Sequence, residues 1–407
     1  MNTRLYNSPF NIVTLAAGLG FFIDTFDLFL FNVYRVQSLR ELGFTGTELT
    51  RKGEYLLSVQ MLGMMIGGIL SGVIADKKGR VSVLFGSILL YSSASILNGF
   101  VTDINSYALI RFLAGIGLAG ELGAGVTLVG ESMTIDKRGY GTILVATLGG
   151  LGAVTAGLIG DILPWRTAFI VAGTMGLALL LLRIRGMETN IFKSTQKSQQ
   201  PLGSLLHLFR KRERALRYFA CILMGIPIWY SVGLLITLSP ELAAENDIES
   251  LKASLCFILF QCGVTGGDLL SGIISQLIKS RKKTLLGFMM IAILATALHF
   301  YQLYQSSTIY FTSLFIGLGC GYLSVFVTTT SEHFGTNLRV TVTATVTNFM
   351  RGAVTLLIPL RILIQDSFTA NITSSLVLVG LMVWIPAIIA VLLLPDTYGR
   401  DLSFLEE

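Results

Sequence analysis

YLLSVQMLGMMIGGILSGVIADKKGR, residues 55–80, sets 21 uncharged residues, Tyr55–Ala75, against a loop with four charges in five positions. At about 1.5 Å per residue the apolar run makes a helix about 31 Å long, the thickness of a bilayer's hydrocarbon core. Lipid offers no partners to backbone N–H and C=O groups, so such a run must satisfy them internally. The chain repeats this design from end to end. Of its 407 residues, 53% are hydrophobic and 13% charged, and the mean hydropathy is +0.71. Soluble domains carry about 25% charged residues. A water-soluble surface, disorder and a coiled coil are excluded. Twelve spans are read, near Phe10–Val36, Tyr55–Ala75, Val81–Val101, Ser106–Glu131, Gly139–Ile159, Arg166–Leu182, Arg217–Ser239, Ser254–Ile278, Lys283–Tyr304, Thr308–Ser331, Val340–Ile364 and Ser374–Leu394.

Lys and Arg positions orient these spans. With the N-terminus inside, 21 basic residues collect on the cytoplasmic side, nine of them between Arg183 and Arg217. Seven face the other way: Arg35, Arg40, Arg51, Lys52, Arg166, Lys252 and Arg361. Both termini are therefore expected in the cytoplasm. The net charge of +6 describes a membrane face, not a nucleic-acid site. No cleavable signal peptide is expected, because the first run is long enough to span. The four cysteines lie in apolar runs without metal spacing and read as core residues. The polar stretch KSTQKSQQP, Lys193–Pro201, is the linker-like segment. It divides the chain into a six-helix unit over 1–186, a cytoplasmic linker over 187–215 and a second six-helix unit over 216–407.

The two units are related. Shifting by 200 residues sets Gly63, Gly67, Leu70, Ser71 and Gly72 on Gly263, Gly267, Leu270, Ser271 and Gly272. Arg80 then meets Arg281, and Glu131 with Arg138 meets Glu332 with Arg339. Two related halves joined by a basic loop imply alternating access, with a binding site between them near mid-membrane.

GVIADKKGR, Gly72–Arg80, resembles the G-x-x-x-D-[RK]-x-G-R-[RK] signature of the major facilitator superfamily, departing at Val81. The second-half copy carries Gln276 in place of the Asp. The opening of the sixth span (Trp165, Arg166, Phe169) and the ending PDTYGRDL, Pro395–Leu402, are similar to sugar porters and their relatives. FFIDTFDLF, Phe21–Phe29, and the run from Arg111 to Glu121 resemble the phosphate–proton and metabolite–proton symporter branches. Leu122–Gly125 departs from the phosphate-porter pattern and is nearer the metabolite symporters. The span-five proline signature of drug–proton antiporters is absent from Gly149–Gly160. The resemblance implies an all-α membrane fold of two pseudo-symmetric six-helix bundles. It also implies that Gly72, Asp76, Gly79, Arg80, Glu131 and Arg138 form a conformational gate latching the halves.

Six ionisable residues fall inside spans: Asp24, Asp27, Arg111, Glu121, Asp268 and Arg351. Each costs roughly 2.5–3.5 kcal/mol at mid-helix on insertion scales, so each needs a reason. Asp27 and Arg111 fall at matching depth, and the resemblance to proton-coupled sugar porters pairs them. A carboxylate beside a movable guanidinium is a proton switch. Asp27, Asp24, Arg111 and Glu121 are the proton-coupling candidates. On the eleventh span Arg351 shares one stripe with Thr347, Asn348 and Thr355, and on the eighth Gln261, Thr265 and Asp268 form another. Arg351 reads either as a lasting ion pair with Asp268 or as an anchor for a substrate carboxylate or phosphate. Thr347, Asn348, Gln261 and Asp268 are expected around it, with Trp229 and Tyr230 beside an organic substrate.

The sequence therefore reads as a secondary transporter importing a small organic anion, or a carboxylate-bearing metabolite, together with protons. A proton-antiporting exporter of an anionic metabolite, such as a carboxylate siderophore, is the alternative, and a non-transporting membrane sensor a third reading. No nucleophile–base pair, phosphate loop or metal-ligand cluster points to an enzyme. No cofactor is expected, the proton gradient being the energy source. The expected partners are substrate, protons and the lipid bilayer of a bacterial inner membrane, without nucleic acid, and the chain is expected to be a monomer.

Overall fold

The computed structural model describes residues 12–78, 80–132, 138–160, 162–187, 208–248, 251–301, 306–368 and 371–399. It gives the backbone alone at 12–13, 72–73, 75–78, 80–81, 122–132, 138–143, 183–187, 306–307, 336–337, 339–340 and 344. The first six spans are Ile12–Glu41, Gly46–Lys78, Arg80–Asn98, Ile104–Ser132, Arg138–Ile159 and Trp165–Met187. The seventh is Arg212–Tyr230, continued by a wider turn, Ser231–Ile236, and a short helix, Ser239–Glu245. The eighth and ninth are Ala253–Ile278 and Arg281–Tyr301. The tenth is broken into Ser306–Cys320 and Leu323–Glu332, the eleventh into Thr336–Gly352 and Val354–Ser367, and Ile372–Leu393 closes the fold. Among the described residues nine helices are long and apolar enough to cross a membrane; the third, fourth and fifth spans complete the twelve.

The irregular spans have local causes. Pro227 in the seventh span has no N–H to offer the carbonyl one turn back, and soon after it the helix widens into π geometry at Ser231–Ile236. Thr237 stitches that turn shut, its hydroxyl donating to the Val232 carbonyl at 2.6 Å. In the eleventh span Pro359 sits inside Val354–Ser367. The tenth span breaks at Gly321–Tyr322, and the new helix start leaves backbone N–H groups without helical partners.

The repeat read from the sequence is a packing repeat. The second span lies on the fourth, and the eighth lies on the tenth. A Cβ at Gly67 would meet Ile116 Cα at 2.7 Å, and one at Gly267 would meet Gly321 Cα at 3.0 Å. Both contacts are backbone against backbone, the close approach that small residues permit in membranes. Within the first half, the first span packs on the fifth and the third on the fourth and sixth. Within the second, the seventh packs on the twelfth and eleventh, and the ninth on the tenth. The halves meet where the second span touches the eleventh and the fifth touches the eighth. Large apolar side chains such as Leu97, Leu182, Leu294 and Leu381 stand exposed on the third, sixth, ninth and twelfth spans, the faces left for lipid.

On the face expected to be cytoplasmic, the Pro395–Thr397 return ties the second half together. Asp396 accepts from the Ser280 hydroxyl and, at 3.0 Å, from the Arg281 N–H, at the start of the ninth span. Thr397 donates to Glu332 at 2.6 Å, and Arg281 reaches the same carboxylate at 3.4 Å. Two of the three charged residues matched by the repeat, Arg281 and Glu332, thus meet. Their first-half counterparts Arg80 and Glu131, with Asp76 and Arg138, have only their backbone described. Gly72 lies inside the second span, and Gly79 falls outside the described residues.

Candidate functional site

The intramembrane charges separate into three groups. The first is centred on Asp24 of the first span, which feels Arg351 of the eleventh span and Glu121 of the fourth, all three buried, and also Asp27 one turn on. Neither carboxylate oxygen of Asp24 accepts a hydrogen bond from the protein, and neither Nε nor Nη1 of Arg351 donates one. The Arg351 guanidinium lies 5.3 Å from the centre of the Trp229 ring, a cation–π contact. Trp229 in turn stacks on Phe29 of the first span, centroids 6.2 Å apart and planes at 11°. Phe257 of the eighth span leans on Phe29 at 5.1 Å. A cationic fork with spare donors, an aromatic shelf and two acidic groups therefore converge from both halves.

Asp27 and Arg111 form the second group. Asp27 accepts from the Ser95 hydroxyl, while its other oxygen has no donor. Arg111 turns to Asn98, whose carboxamide oxygen, oriented by its hydrogen bonds, accepts from Nε at 2.6 Å and also from Nη2. The guanidinium lies over Phe169 at 4.7 Å. The expected pair is thus close enough to interact electrostatically, yet each member is held by a neutral partner on the third span, Ser95 or Asn98.

Asp268 stands apart. Its Oδ1 accepts from the Ser324 N–H at 2.6 Å, at the start of the second piece of the tenth span. A carboxylate suits a helix N-terminus because it meets orphan donors and the positive end of the helix dipole. Of the two readings of Arg351, the lasting pair with Asp268 is not the one found: the arginine's electrostatic partner is Asp24, and Asp268 caps a helix break. Tyr230 is also placed elsewhere than expected. Its hydroxyl donates to the Leu376 carbonyl at 2.8 Å, so the ring packs against the twelfth span.

The remaining candidates line the seam between halves. Asn348 lies against Gly68 of the second span and donates to the Ala119 carbonyl at 3.4 Å. Thr347 donates back to the Thr343 carbonyl at 3.1 Å. Gln261 is buried on the eighth span, one turn before Thr265, whose side chain rests on Gly150 of the fifth. Sequence reasoning missed Phe29, Asn98 and Ser95; the last two lie on the third span, which carries no charge to mark it. It also counted Arg35 and Arg361 only as basic residues of the outer side. Both are buried in helices and ion-paired, Arg35 with Glu241 at 2.7 Å and Arg361 with Glu54 at 2.5 Å.

Two related bundles around a central cluster of buried charges define a membrane transporter, and residues 17–359 match the Major Facilitator Superfamily model, to which this chain belongs. It is 26% identical over 345 residues to the sialic acid transporter of Escherichia coli (strain K12), covering 82% of each chain. To the 3-(3-hydroxy-phenyl)propionate transporter of the same organism it is 28% identical over 222 residues, 54% of each. The crystal structure of a D-xylose-proton symporter superposes with a TM-score of 0.74 at 17% identity, covering 96% of this chain and 99% of the other. That likeness is one of fold.

Proposed function

We propose that this transporter carries a small organic acid, with protons, across a bacterial inner membrane, both termini lying in the cytoplasm. The observation that carries this reading is the Arg351 guanidinium, buried between the halves with two nitrogens unbonded and Trp229 over one face. Five donors in a rigid fork suit a carboxylate. The Trp229–Phe29 shelf suits the apolar body attached to it. Two relatives named as transporters of acids, one of sialic acid and one of a hydroxyphenylpropionate, support the substrate class.

Proton coupling follows from the same cluster. Asp24 lies in the field of Arg351 and in that of a second acid, Glu121. A substrate carboxylate that takes the fork leaves buried acidic charge uncompensated, and burying unpaired charge is expensive. Binding an anion and binding a proton on Asp24 then favour each other, which is the condition for symport. Asp27, beside Arg111, is the second proton-carrying group.

The test is uptake of labelled 3-(3-hydroxyphenyl)propionate and sialic acid into proteoliposomes, with and without an acid-outside gradient. Gradient-dependent accumulation of either, lost in Arg351→Met, is the expected result. Accumulation of a carboxylate by well-folded Arg351→Met at the wild-type rate would remove the anion anchor. Accumulation in everted membrane vesicles, whose lumen stands for the outer side, would reverse the direction to export.

A further inference from the structure

Where the second and eleventh spans meet, toward the face expected to lie outside, two stripes of side chains line one groove. Arg51, Tyr55 and Ser58, at i, i+4 and i+7, share a face of the second span. Pro359, Ile362, Leu363 and Asp366, at i, i+3, i+4 and i+7, share a face of the eleventh. The groove between them has a volume of about 360 Å³, the size of a small-molecule site. It opens sideways out of the bundle, with Tyr55 48% and Leu363 63% exposed along it. At its bottom the Thr355 hydroxyl donates to the Ser58 carbonyl at 3.3 Å and closes the seam. At its mouth Arg51 pairs with Asp366 at 2.7 Å, both side chains half exposed. From Thr355 to Asp366 the helix rises about 16 Å at ~1.5 Å per residue, half of the ~30 Å hydrocarbon core. The groove is therefore one leaflet deep, walled mainly by apolar side chains and charged only at the interface.

We propose that this groove binds one phospholipid of the outer leaflet whose headgroup carries a primary ammonium. Its phosphate meets Arg51, its ammonium meets Asp366, and an acyl chain lies along Tyr55, Pro359, Ile362 and Leu363. The depth fits a chain that starts at the interface and ends near the midplane. The headgroup follows from the mouth. An exposed ion pair is worth little, so Arg51 and Asp366 part readily for partners of better geometry. A guanidinium takes a phosphate through two parallel bonds, and an ammonium brings N–H donors to a carboxylate. A phospholipid with both groups satisfies both residues at once. A trimethylammonium headgroup has no N–H to donate, and an anionic headgroup sets its charge beside Asp366. Tyr55 suits the same region, since aromatic rings with a polar tip collect at membrane interfaces. The site needs only the membrane-spanning fold, so its failure leaves the anion-anchor reading standing.

The experiment is native mass spectrometry of the full-length protein, extracted from bilayers of phosphatidylethanolamine, phosphatidylglycerol and phosphatidylcholine in equal parts with identical acyl chains. As detergent strips the surrounding lipid, the wild type should retain one phosphatidylethanolamine, enriched several-fold over the other two. Asp366→Asn should abolish that preference, because the ammonium loses its partner. Leu363→Trp, which fills the groove from its exposed side, should lower retention of the last lipid several-fold whatever its headgroup. Equal retention of the three headgroups by the wild type would overturn the proposal, and so would a preference for phosphatidylglycerol or phosphatidylcholine. An ethanolamine preference that survives Asp366→Asn, or retention unchanged in Leu363→Trp, would place the lipid elsewhere and overturn it as well. Both altered side chains are exposed, so both variants should fold. If Leu363→Trp is not monodisperse on gel filtration, Asp366→Asn decides alone.

Discussion

Two arginines ten residues apart on the eleventh span meet opposite fates. Arg361, near the outer end, is saturated: Glu54 takes its Nε and Nη2, and Gln365 accepts from Nη1 at 2.7 Å. Arg351, at mid-span, is as deeply buried and has two nitrogens that reach nothing in the protein. Residue type and burial are the same, so neither defines function. What differs is whether the chain supplies a geometric mate. Glu54 faces Arg361 at bonding distance, whereas Asp24 lies in Arg351's field and accepts no bond from it. In the proposed reading, a buried charge with a geometric mate in the chain holds conformation and one without it is left for a ligand.

The sharpest way to break this comparison is through the acids opposite each arginine. Asp24→Asn should abolish gradient-driven accumulation while substrate exchange without a gradient persists, because the amide imitates the protonated carrier. Glu54→Gln should keep accumulation, at a changed rate. Asp27→Asn should behave as Asp24→Asn does; accumulation at the wild-type rate would remove Asp27 from coupling. Proteoliposome uptake with and without a pH gradient reads all three.

Next in size is affinity. Arg351→Lys keeps the charge and loses the fork, and one charge-assisted hydrogen bond is worth about 1.5–3 kcal/mol, roughly a 10- to 150-fold weaker Kd. Calorimetric titration of folded protein measures it, and an unaltered Kd would end the carboxylate-fork reading. Arg361→Ala should leave Kd within a few-fold of wild type. Its stability loss should be the ~3–5 kcal/mol usual for orphaning a buried charge. A thermal melt showing little loss would mean that the pair does not hold the halves together. Smallest of all is Tyr230→Phe, which deletes the bond to Leu376. It should cost about 0.5–1.5 kcal/mol of stability and leave substrate affinity untouched. A large change in Kd would return Tyr230 to the binding site.

The span count, the repeat and the family were legible in the sequence because lipid makes hydropathy decisive and because Gly63, Gly67, Gly263 and Gly267 meet neighbouring backbone. Asp24, Asp27, Arg111, Glu121 and Arg351 were legible for a related reason, charge being too costly in hydrocarbon to persist idly. Their pairing was not. Asp268 looks the same in sequence as Asp24, and only the break at Gly321–Tyr322, with no proline to announce it, turns it into a helix cap. Arg35, Glu54 and Arg361 escaped notice because each lies near a span end, where a charge seems to need no explanation.

The glycine contacts carry one more implication, a mechanical one. Inside each half, Gly63 and Gly67 of the second span and Gly263 and Gly267 of the eighth press on backbone, which cannot yield without bending a helix. Across the seam the same kind of approach ends on side chains: Gly68 on Asn348, Gly150 on Thr265, Gly157 on Ile258 and Gly352 on Met65. A side chain can rotate aside at little cost, whereas backbone cannot. The molecule is therefore stiff where it must act as a lever and compliant along the line where the levers slide, with both properties drawn from the same residue.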